Sequence, residues 1–404
     1  MRYRSLIDEV MKIYDFHVNW RRKCLNLIAS ENVMSPLVRS LLSSDFAHRY
    51  SLWDRKYIPD GVTNFYKGTK YLDEIYNIGV SVSCELFECE YADLRILSGH
   101  IGTLAVVMSL TNVGDTIYTV NTVNGGYPGL SKDGFIEVIG RRVIDIPFND
   151  DKANIDVERL AEVVNEKGGK LIFIGSSFIP FIHPIEEIAE IAYENNLYFA
   201  YDASHVLGLI AGKVYPNPIK YGAVLVGSTH KTFPGPQGGI LLYNSKFLEL
   251  FTENIVMKVV DNPHYNRILA LTVSIIEMLE FGCEYAKQIV ANAKELARCL
   301  DEFGIPIKYR DLGYTETHQI ILDDIANLAK FADKLEEANI IIDYSGRIGT
   351  CEITRLGFKE KEMHYIAELM KRVYDGENTS NIKKEVEKLM HDRKVEYTFP
   401  IGHT

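Results

Sequence analysis

A lysine in a stiff loop is the first residue of this sequence that could do chemistry. The stretch VGSTHKTFPGPQGGI, residues 226–240, places Lys231 after small hydroxyl residues and before a run of glycine and proline. Such a loop can hold an amine against a reacting carbon, and its glycines let backbone approach a ligand closely. Ser228 and Thr229 add hydroxyls that can bind a phosphate. Without further support, Lys231 would be an ordinary solvated loop residue.

A second strand-like run ends in a carboxylate. LYFAYDASHVLGL, residues 197–209, places Asp202 at the end of the apolar run and His205 three residues later. Ligands of α/β sheets sit at the carboxyl ends of strands, so Asp202 is a candidate site residue. The alternative is that Asp202 caps the helix that follows.

A third run has the pattern of a phosphate-binding turn. RILSGHIGTLAV, residues 95–106, ends in Ser98, Gly99 and His100 and then begins a helix. Backbone N–H groups at a helix start bind phosphate, although a plain glycine turn is equally compatible. The sequence has neither a P-loop nor a GxGxxG motif after a strand, which disfavours ATP and NAD.

These three features together suit one cofactor, pyridoxal phosphate (PLP). PLP needs a lysine amine for its Schiff base, a carboxylate beside the pyridine nitrogen and a cradle for its phosphate. Lys231, Asp202 and residues 98–102 can supply them in that order. We therefore predict a PLP site.

The elements that must position these residues alternate along the chain. Apolar, β-branched runs (DLRIL, DTIYTV, KLIFIG, LYFAYD, AVLVGS and GILLYN) alternate with helix-like segments such as GTLAVVMSL and PIEEIAEIAYENN. This rhythm predicts an α/β fold with a mostly parallel sheet covered by helices on both faces.

The pattern changes after Asn244, which predicts a second domain. Two long amphipathic segments, NRILALTVSIIEMLEFG and AKQIVANAKELARCLDEFG, precede short strands near PIKYRDLG and HQIILDDI. We expect an N-terminal helical arm over residues 1–45, a large PLP-binding α/β domain over 46–262, and a connecting helix with a small C-terminal α+β domain over 263–404.

Composition excludes several classes of protein. The formal net charge of −11 argues against a nucleic-acid-binding surface. The sequence shows no apolar signal core and no run of eighteen apolar residues, so we expect a cytoplasmic protein with no membrane partner. Its six cysteines form no CxxC pair, so we expect reduced thiols and no metal site.

Several longer stretches resemble the serine hydroxymethyltransferase family over nearly the whole chain. They are LNLIASEN, FYKGTKYLD, YDASHVLGLIAGKVYPNP, STHKTFPGPQGG and RIGTCEITRLGFKE. The resemblance implies a fold-type-I PLP transferase, an amino-acid substrate, and a homodimer with active sites at the subunit interface.

The resemblance also implies roles for individual residues. Lys231 would be the Schiff-base lysine and Asp202 the partner of the pyridine nitrogen, while His205 and Ser177 would face the phenolic oxygen of the cofactor. His230 would be a catalytic neighbour, although it could simply pack against the loop. The residues expected to hold the phosphate are Ser98, Gly99, His100, Ser228 and, from the neighbouring subunit, Tyr50.

At the substrate end, the resemblance makes Arg347 a bidentate clamp for the α-carboxylate, helped by Ser30 and by Tyr66 of the other subunit. Each role has a simpler alternative. Ser30 could be a helix cap, Tyr50 and Tyr66 ordinary interface aromatics, and Arg347 an unpaired surface residue.

Some positions depart from the family pattern. Tyr127 replaces a histidine that stacks on the cofactor, which a tyrosine can also do. Residues 259–266, VVDNPHYN, replace a glycine-rich segment that reaches the partner's phosphate, and Gln237 replaces an arginine.

Two further departures remove features of the family's folate site. Leu52 stands where the family has a glutamate used in folate-dependent proton transfer, and Asp54 and Asp60 are misaligned substitutes. The stretch ANIIIDYSGRIGT reaches Arg347 without the long loop that contributes to the folate pocket.

We therefore expect a folate-independent aldolase or transaldolase acting on the Cα–Cβ bond of a β-hydroxy amino acid. The alternatives are a divergent hydroxymethyltransferase that still uses a pterin, and a racemase, aminotransferase or decarboxylase on the same scaffold. A catalytically inactive scaffold protein is disfavoured, because it would need neither Lys231, Asp202 nor Arg347.

Overall fold

The structure is a computed structural model that describes residues 2–52, 64–255, 258–323 and 327–400. The chain forms two compact units. The sheet unit comprises Asn32–Lys287 and Tyr397–Thr404, and the terminal unit comprises Met1–Glu31 and Gln288–Glu396. Along the described chain, no helix is long and apolar enough to cross a bilayer.

Short strands occur in both units. Most coincide with apolar, β-branched runs, because such side chains suit a sheet covered on both faces. The strands are β1 (Leu25–Asn26), β2 (Tyr91–Asp93), β3 (Thr116–Thr119), β4 (Arg142–Asp145), β5 (Phe148–Asn149), β6 (Asn154–Ile155), β7 (Leu171–Gly175), β8 (Tyr198–Asp202), β9 (Val224–Ser228), β10 (Gly239–Tyr243), β11 (Gln319–Ile321), β12 (Ile340–Ile341) and β13 (Arg347–Gly349).

Helices separate most of these strands, as the alternating pattern predicts. The α-helices are α1 (Arg2–Arg21), α2 (Pro36–Leu41), α3 (Lys70–Phe87), α4 (Gly99–Leu110), α5 (Phe135–Val138), α6 (Val157–Lys167), α7 (Ile185–Glu194), α8 (Leu207–Ala211), α9 (Leu248–Asn254), α10 (Tyr265–Glu302), α11 (Leu328–Glu337), α12 (Cys351–Arg355), α13 (Glu360–Tyr374) and α14 (Thr379–Met390). Short 3-10 helices lie at Asp45–His48, Thr122–Asn124, Pro128–Leu130, Pro218–Tyr221, Ser245–Phe247 and Arg310–Leu312.

A central sheet organises the sheet unit. Its strand order is β2-β10-β9-β8-β7-β3-β4. Strands β9, β8, β7, β3 and β4 run parallel, whereas β10 runs antiparallel to both of its neighbours. The prediction of a mostly parallel sheet is confirmed.

The register of this sheet brings three strand ends to one edge. Gly175 of β7 pairs with Asp202 of β8, and Asp202 pairs with Val226 of β9, two residues before Ser228. The chain therefore leaves the sheet after Gly175, Asp202 and Ser228 at the same carboxyl edge, which is where ligands of parallel sheets bind.

Helix α10 is one continuous helix of 38 residues where the sequence indicates two. Gly282 lies in its interior, and a glycine there costs only about 1 kcal/mol relative to alanine. Buried side chains on both sides of Gly282, including Met278 and Tyr285, anchor the helix across that position. The burial of these side chains offsets the glycine penalty.

The terminal unit joins the two ends of the chain. Strand β1 pairs in parallel with β12, so residues 1–31 belong with the C-terminal residues. This grouping differs from the predicted boundaries after residues 45 and 262, because a two-residue strand gives no sequence signal for a partner some 300 residues away. A core that includes Leu335, Ile366 and Val386 fills the unit.

The two predicted C-terminal strands have different outcomes. HQIILDDI contributes β11, which pairs antiparallel with β13. PIKYRDLG instead forms a single bridge between Ile307 and Leu322, followed by the 3-10 helix at Arg310–Leu312.

The loop after β9 is fixed against α8 by a glycine. The Gly208 N–H donates to Oγ1 of Thr232 at 3.0 Å. A Cβ atom added at Gly208 would lie 2.3 Å from the carbonyl oxygen of Thr232 and 2.7 Å from the backbone nitrogen of Phe233. Only glycine allows this approach, which places the backbone beside Lys231.

We predict that Gly208→Ala lowers the free energy of unfolding by about 1–3 kcal/mol, because backbone atoms cannot yield as a side chain can. Urea denaturation measures the change. Gly282→Ala is the matched control, since the atom nearest to its added Cβ would be the terminal methyl of Met278, at 2.9 Å, which can move because it ends a flexible side chain. A Gly208→Ala protein as stable as the wild type would show that the loop is not held in this way.

Candidate active site

Asp202 is a buried carboxylate at the carboxyl edge of the sheet. The residue is 9% exposed, and Oδ1 accepts a hydrogen bond from the Ser204 N–H at 2.9 Å. Burial raises the pKa of the Asp202 carboxyl, against the lowering effects of Ser204 and of the Lys231 charge. Helix α8 starts at Leu207 after Val206, so Asp202 does not cap it.

Ser204 connects the ends of β8 and β9. Its Oγ accepts hydrogen bonds from the Ser228 N–H at 2.9 Å and from the Ser228 hydroxyl at 3.1 Å. A Cβ atom at Gly99 would lie 2.5 Å from Oγ of Ser228 and 2.8 Å from Oγ of Ser204. Glycine is therefore required where the start of α4 meets these hydroxyls.

The start of α4 has the geometry of an anion-binding helix terminus. Ser98 is the N-cap, and its Oγ accepts from the Ile101 N–H at 3.1 Å. Gly99 and His100 form the first turn, where backbone N–H groups are unpaired within a helix. The structure thus brings Ser98, Gly99 and Ser228 together, as the phosphate-cradle prediction requires.

Two aromatic residues lie beside this turn. Nδ1 of His100 is 2.7 Å from the hydroxyl of Tyr127, and the Tyr127 N–H donates to the carbonyl of Gly175 at the end of β7. Burial, and then the negative charge of Asp202, raises the pKa of Tyr127. Tyr127 therefore lies at the same edge of the sheet as Asp202.

The loop that carries Lys231 is closed by its own hydrogen bonds. Thr229 donates through Oγ1 to the carbonyl of Pro236 at 2.6 Å, and its N–H donates to the carbonyl of Gly238 at 3.1 Å. Asn32 fixes Lys231 from outside the loop, since its Nδ2 donates to the Lys231 carbonyl at 2.6 Å. The lysine backbone is thus anchored while its side chain extends from a rigid base.

His230, beside the lysine, has an unusual environment. Burial, and then the charge of Lys231, lowers the pKa of His230 to about 4, so the imidazole is neutral at pH 7. Its Nδ1 is buried without a hydrogen-bond partner among the described residues. A buried polar atom of this kind is costly unless a ligand supplies the partner.

The two remaining residues predicted to face the cofactor are His205 and Ser177. Both lie in segments that leave the sheet at the same carboxyl edge. His205 is buried in the turn between β8 and α8. Ser177 follows β7, and its N–H donates to the carbonyl of Gly125 at 2.7 Å.

Tyr50 and Tyr66 form a half-exposed aromatic pair. Their ring centroids are 5.0 Å apart, and each residue is 38% exposed. The Tyr50 hydroxyl donates to Oδ2 of Asp261 at 2.6 Å, and this bond raises the pKa of Tyr50 to about 12. Asp261 lies in residues 259–266, which depart from the family pattern. This segment therefore holds Tyr50, the residue expected to reach the active site of the neighbouring subunit.

Arg347 and Ser30 belong to the terminal unit. Arg347 begins β13 and pairs in register with Ile321 of β11. The neighbouring Gly349 N–H donates to the carbonyl of Leu27 at 2.7 Å, which holds the chain leading to Ser30 alongside β13.

The Arg347 side chain forms an ion pair rather than projecting alone from the surface. Its Nη2 lies 2.9 Å from Oδ2 of Asp343, and the side chain is 14% exposed.

Leu52 stands at the position where the family has a glutamate. Its N–H donates to Oδ1 of Asn64 at 3.4 Å. Asp54 and Asp60 lie outside the described residues.

Sequence reasoning missed three residues that position the site, namely Asn32, Ser204 and Asp343. Asn32 and Ser204 lie inside the motifs LNLIASEN and YDASHVLGL. These motifs indicated that the two segments belong to the site, but they did not indicate what Asn32 and Ser204 bind. Asp343 lies four residues before Arg347, a spacing that the sequence alone does not distinguish from chance.

Comparisons with known proteins agree with this geometry. The serine hydroxymethyltransferase family profile matches residues 5–370. Serine hydroxymethyltransferase of Thermococcus onnurineus is 40% identical over 425 residues, covering 99% of this chain and 98% of the relative. The enzyme of Pyrococcus abyssi is 38% identical over 429 residues, covering 100% and 99%.

A solved structure supports the same assignment. L-threonine transaldolase from Pseudomonas fluorescens, solved in its internal aldimine state, superimposes with a TM-score of 0.90 at 25% identity, covering 98% of this chain and 94% of that one. The predicted fold class is thereby confirmed. The chain belongs to the serine hydroxymethyltransferase family and is a PLP-dependent enzyme of the hydroxymethyltransferase and aldolase type.

Proposed function

We propose that this enzyme makes or breaks the Cα–Cβ bond of a β-hydroxy amino acid. The reaction interconverts that amino acid with glycine and an aldehyde, and it does not use folate. The proposal has three parts: a PLP site in the sheet unit, an α-carboxylate site at Arg347, and the loss of the features that a folate needs. Each part is supported by different residues.

The sheet unit has the residues that PLP requires. Lys231 would hold the aldehyde carbon, Asp202 would pair with the pyridine nitrogen, and Ser98, Gly99 and Ser228 would hold the phosphate. Gly99 packs against the hydroxyls of Ser204 and Ser228, which brings the start of α4 to these two donors. The Nδ1 of His230, which is buried without a hydrogen-bond partner among the described residues, also fits a ligand at this edge. When bound, PLP supplies the electron sink that stabilises negative charge at the substrate Cα.

The burial of Asp202 supports its role as the partner of a positively charged ring nitrogen. A buried carboxylate is costly unless it is paired. The N–H of Ser204 and the charge of Lys231 offset part of that cost. A protonated pyridine nitrogen would offset more of it, and Asp202 would in turn keep that proton in place.

Substrate orientation would come from Arg347. Arg347 would bind the α-carboxylate through charge-assisted hydrogen bonds, with Ser30 and the Tyr66 of a second subunit as further donors. A substrate held by its carboxylate presents one chosen Cα bond for cleavage, which is how this family of cofactor enzymes selects its reaction.

The β-hydroxyl proton needs an acceptor when the Cα–Cβ bond breaks and the aldehyde leaves. His230, next to Lys231 in the chain and neutral at pH 7, would accept this proton while the bond breaks. With a pKa of about 4 it is a weak base, so it would pass the proton on rather than retain it. Cleavage then releases an aldehyde, and a proton returned to Cα yields glycine. This sequence of steps is balanced without a one-carbon carrier.

The short connection before Arg347 is the main support for the proposal that the enzyme does not use folate. Only residues 342–346 link β12 to β13, which leaves no long loop to form a pocket wall. Alignments to the archaeal relatives run over more positions than the 404 residues of this chain, so those relatives contain segments that it lacks. Leu52 provides no carboxylate for folate proton transfer.

A second candidate is a serine hydroxymethyltransferase that uses a pterin carrier. The full-length identity to the archaeal serine hydroxymethyltransferases favours it. The likeness to an L-threonine transaldolase favours the aldolase reading instead. The two candidates share every residue discussed above and differ only in whether a carrier takes the aldehyde carbon.

We expect the purified holoenzyme to cleave serine or threonine to glycine and the aldehyde at a rate that tetrahydrofolate does not change. Product analysis with and without the carrier measures this, across a panel of β-hydroxy amino acids. Strong acceleration of serine cleavage by tetrahydrofolate would identify the pterin-dependent alternative. A purified protein without PLP absorbance would instead support a scaffold role.

A homodimer is also part of the proposal. Helix α1 exposes an apolar stripe that includes Leu6, Val10, Ile13 and Phe16, each at least 50% exposed. Exposed apolar area on this scale is typical of an interface. Tyr50 and Tyr66 expose a second aromatic surface in the sheet unit, and the resemblance assigns both to the neighbouring active site.

We expect sedimentation equilibrium to give twice the chain mass. Replacing Val10 and Ile13 together by glutamate should weaken the dimer, because charge is costly at an apolar interface. Exposed Val113→Glu is the matched control, since Val113 is 77% exposed but lies outside the stripe. A fully active wild-type monomer would contradict the shared active site.

A further inference from the structure

The guanidinium of Arg347 is held along one edge by a carboxylate of its own chain. Oδ2 of Asp343 accepts from Nε of Arg347 at 3.2 Å and from Nη2 at 2.9 Å. Ser345 reinforces this edge, because its Oγ accepts from Nε at 3.2 Å. The guanidinium is planar, so contacts at Nε and Nη2 together fix the orientation of its plane.

Asp343 is itself fixed by the turn that precedes β13. Its other oxygen, Oδ1, accepts from the N–H of Ser345 at 2.9 Å and from the Ser345 hydroxyl. Gly346 completes the turn with a φ of +77°, a conformation that glycine adopts without strain. The two carboxylate oxygens thus do different things: one anchors the turn and the other holds the arginine.

We propose that Asp343 is a positioning residue for substrate binding. It holds the Nε edge of Arg347, so that the substrate α-carboxylate is bound through the Nη atoms at the end of the fork. The inference rests on the proposed function, because it requires Arg347 to be the carboxylate clamp. It adds a residue to that clamp and states which edge of the guanidinium meets the substrate.

The partial burial of the pair favours positioning over a surface contact without effect. The side chains of Arg347 and Asp343 are 14% and 23% exposed. Exposed ion pairs contribute little because water screens them and both side chains must be ordered. Here the turn has already ordered Asp343, so the arginine gains a fixed orientation at a smaller entropic cost.

The opposite possibility is that Asp343 competes with the substrate for the arginine. The two readings predict opposite effects of removing the carboxylate. Loss of a positioning group weakens substrate binding, whereas loss of a competitor strengthens it. Glycine affinity therefore distinguishes them directly.

The test compares holoenzymes of the wild type, Asp343→Ala and Asp343→Asn. The change in cofactor absorbance on titration with glycine gives the dissociation constant. We expect Asp343→Ala to raise it about tenfold, the scale of a lost charge-assisted contact. For a cleaved β-hydroxy amino acid, KM should rise similarly while kcat stays close to the wild-type value.

Two controls separate positioning from a structural defect. Ethylamine lacks the carboxylate, so its dissociation constant should not change in either variant. Glu302→Ala removes another i,i+4 partner of an arginine, Arg298, on the exposed surface of the same unit, and should leave glycine affinity unchanged. The melting temperature and cofactor content report on folding, and Asp343→Asn decides the question if Asp343→Ala is unstable.

The outcomes are distinguishable from failure of the proposed function. A wild-type enzyme whose absorbance does not respond to glycine would refute the amino-acid site itself. A wild type that responds, with Asp343 variants that bind glycine equally well or more tightly, would overturn the positioning role alone. Equal weakening of glycine and ethylamine would assign Asp343 a structural role and also overturn it.

Discussion

The carboxylate of Asp202 is buried at the end of β8, and its need for polar partners determines how this part of the sheet unit is arranged. Burying Asp202 is unfavourable unless polar partners surround it. The N–H of Ser204 supplies one partner, and Oγ of the same serine holds the backbone and hydroxyl of Ser228. Because Gly99 must pack against these two hydroxyls, the start of α4 is fixed by the same cluster. One set of contacts therefore positions both the carboxylate and the helix terminus.

The lysine loop and the arginine turn show the same principle in the two units. In each, a flexible cationic side chain extends from backbone that is anchored by short-range hydrogen bonds. Thr229 and Asn32 anchor Lys231, and Asp343 anchors the turn before Arg347. Anchoring the base of a long side chain reduces the entropy lost when it binds its target.

Much of the site was predictable because its residues lie next to strongly patterned elements. Asp202 and Ser228 end apolar runs, and Gly99 starts a helix, so sequence pattern alone placed them at one edge of a parallel sheet. The contacts of Asn32 with Lys231 and the pairing of β1 with β12 were not predictable in this way, because they join residues about 200 and 300 positions apart. The continuity of α10 was also missed, since burial on both sides of Gly282 outweighs its weak helix propensity.

Lys231 is the residue that we propose carries the cofactor at this carboxyl edge. Borohydride reduction of the purified holoenzyme, followed by peptide mass spectrometry, tests this assignment. The cofactor should become covalently attached to the peptide containing Lys231, and Lys231→Arg should abolish the attachment. Attachment to a different lysine, or none to the wild-type holoenzyme, would contradict it.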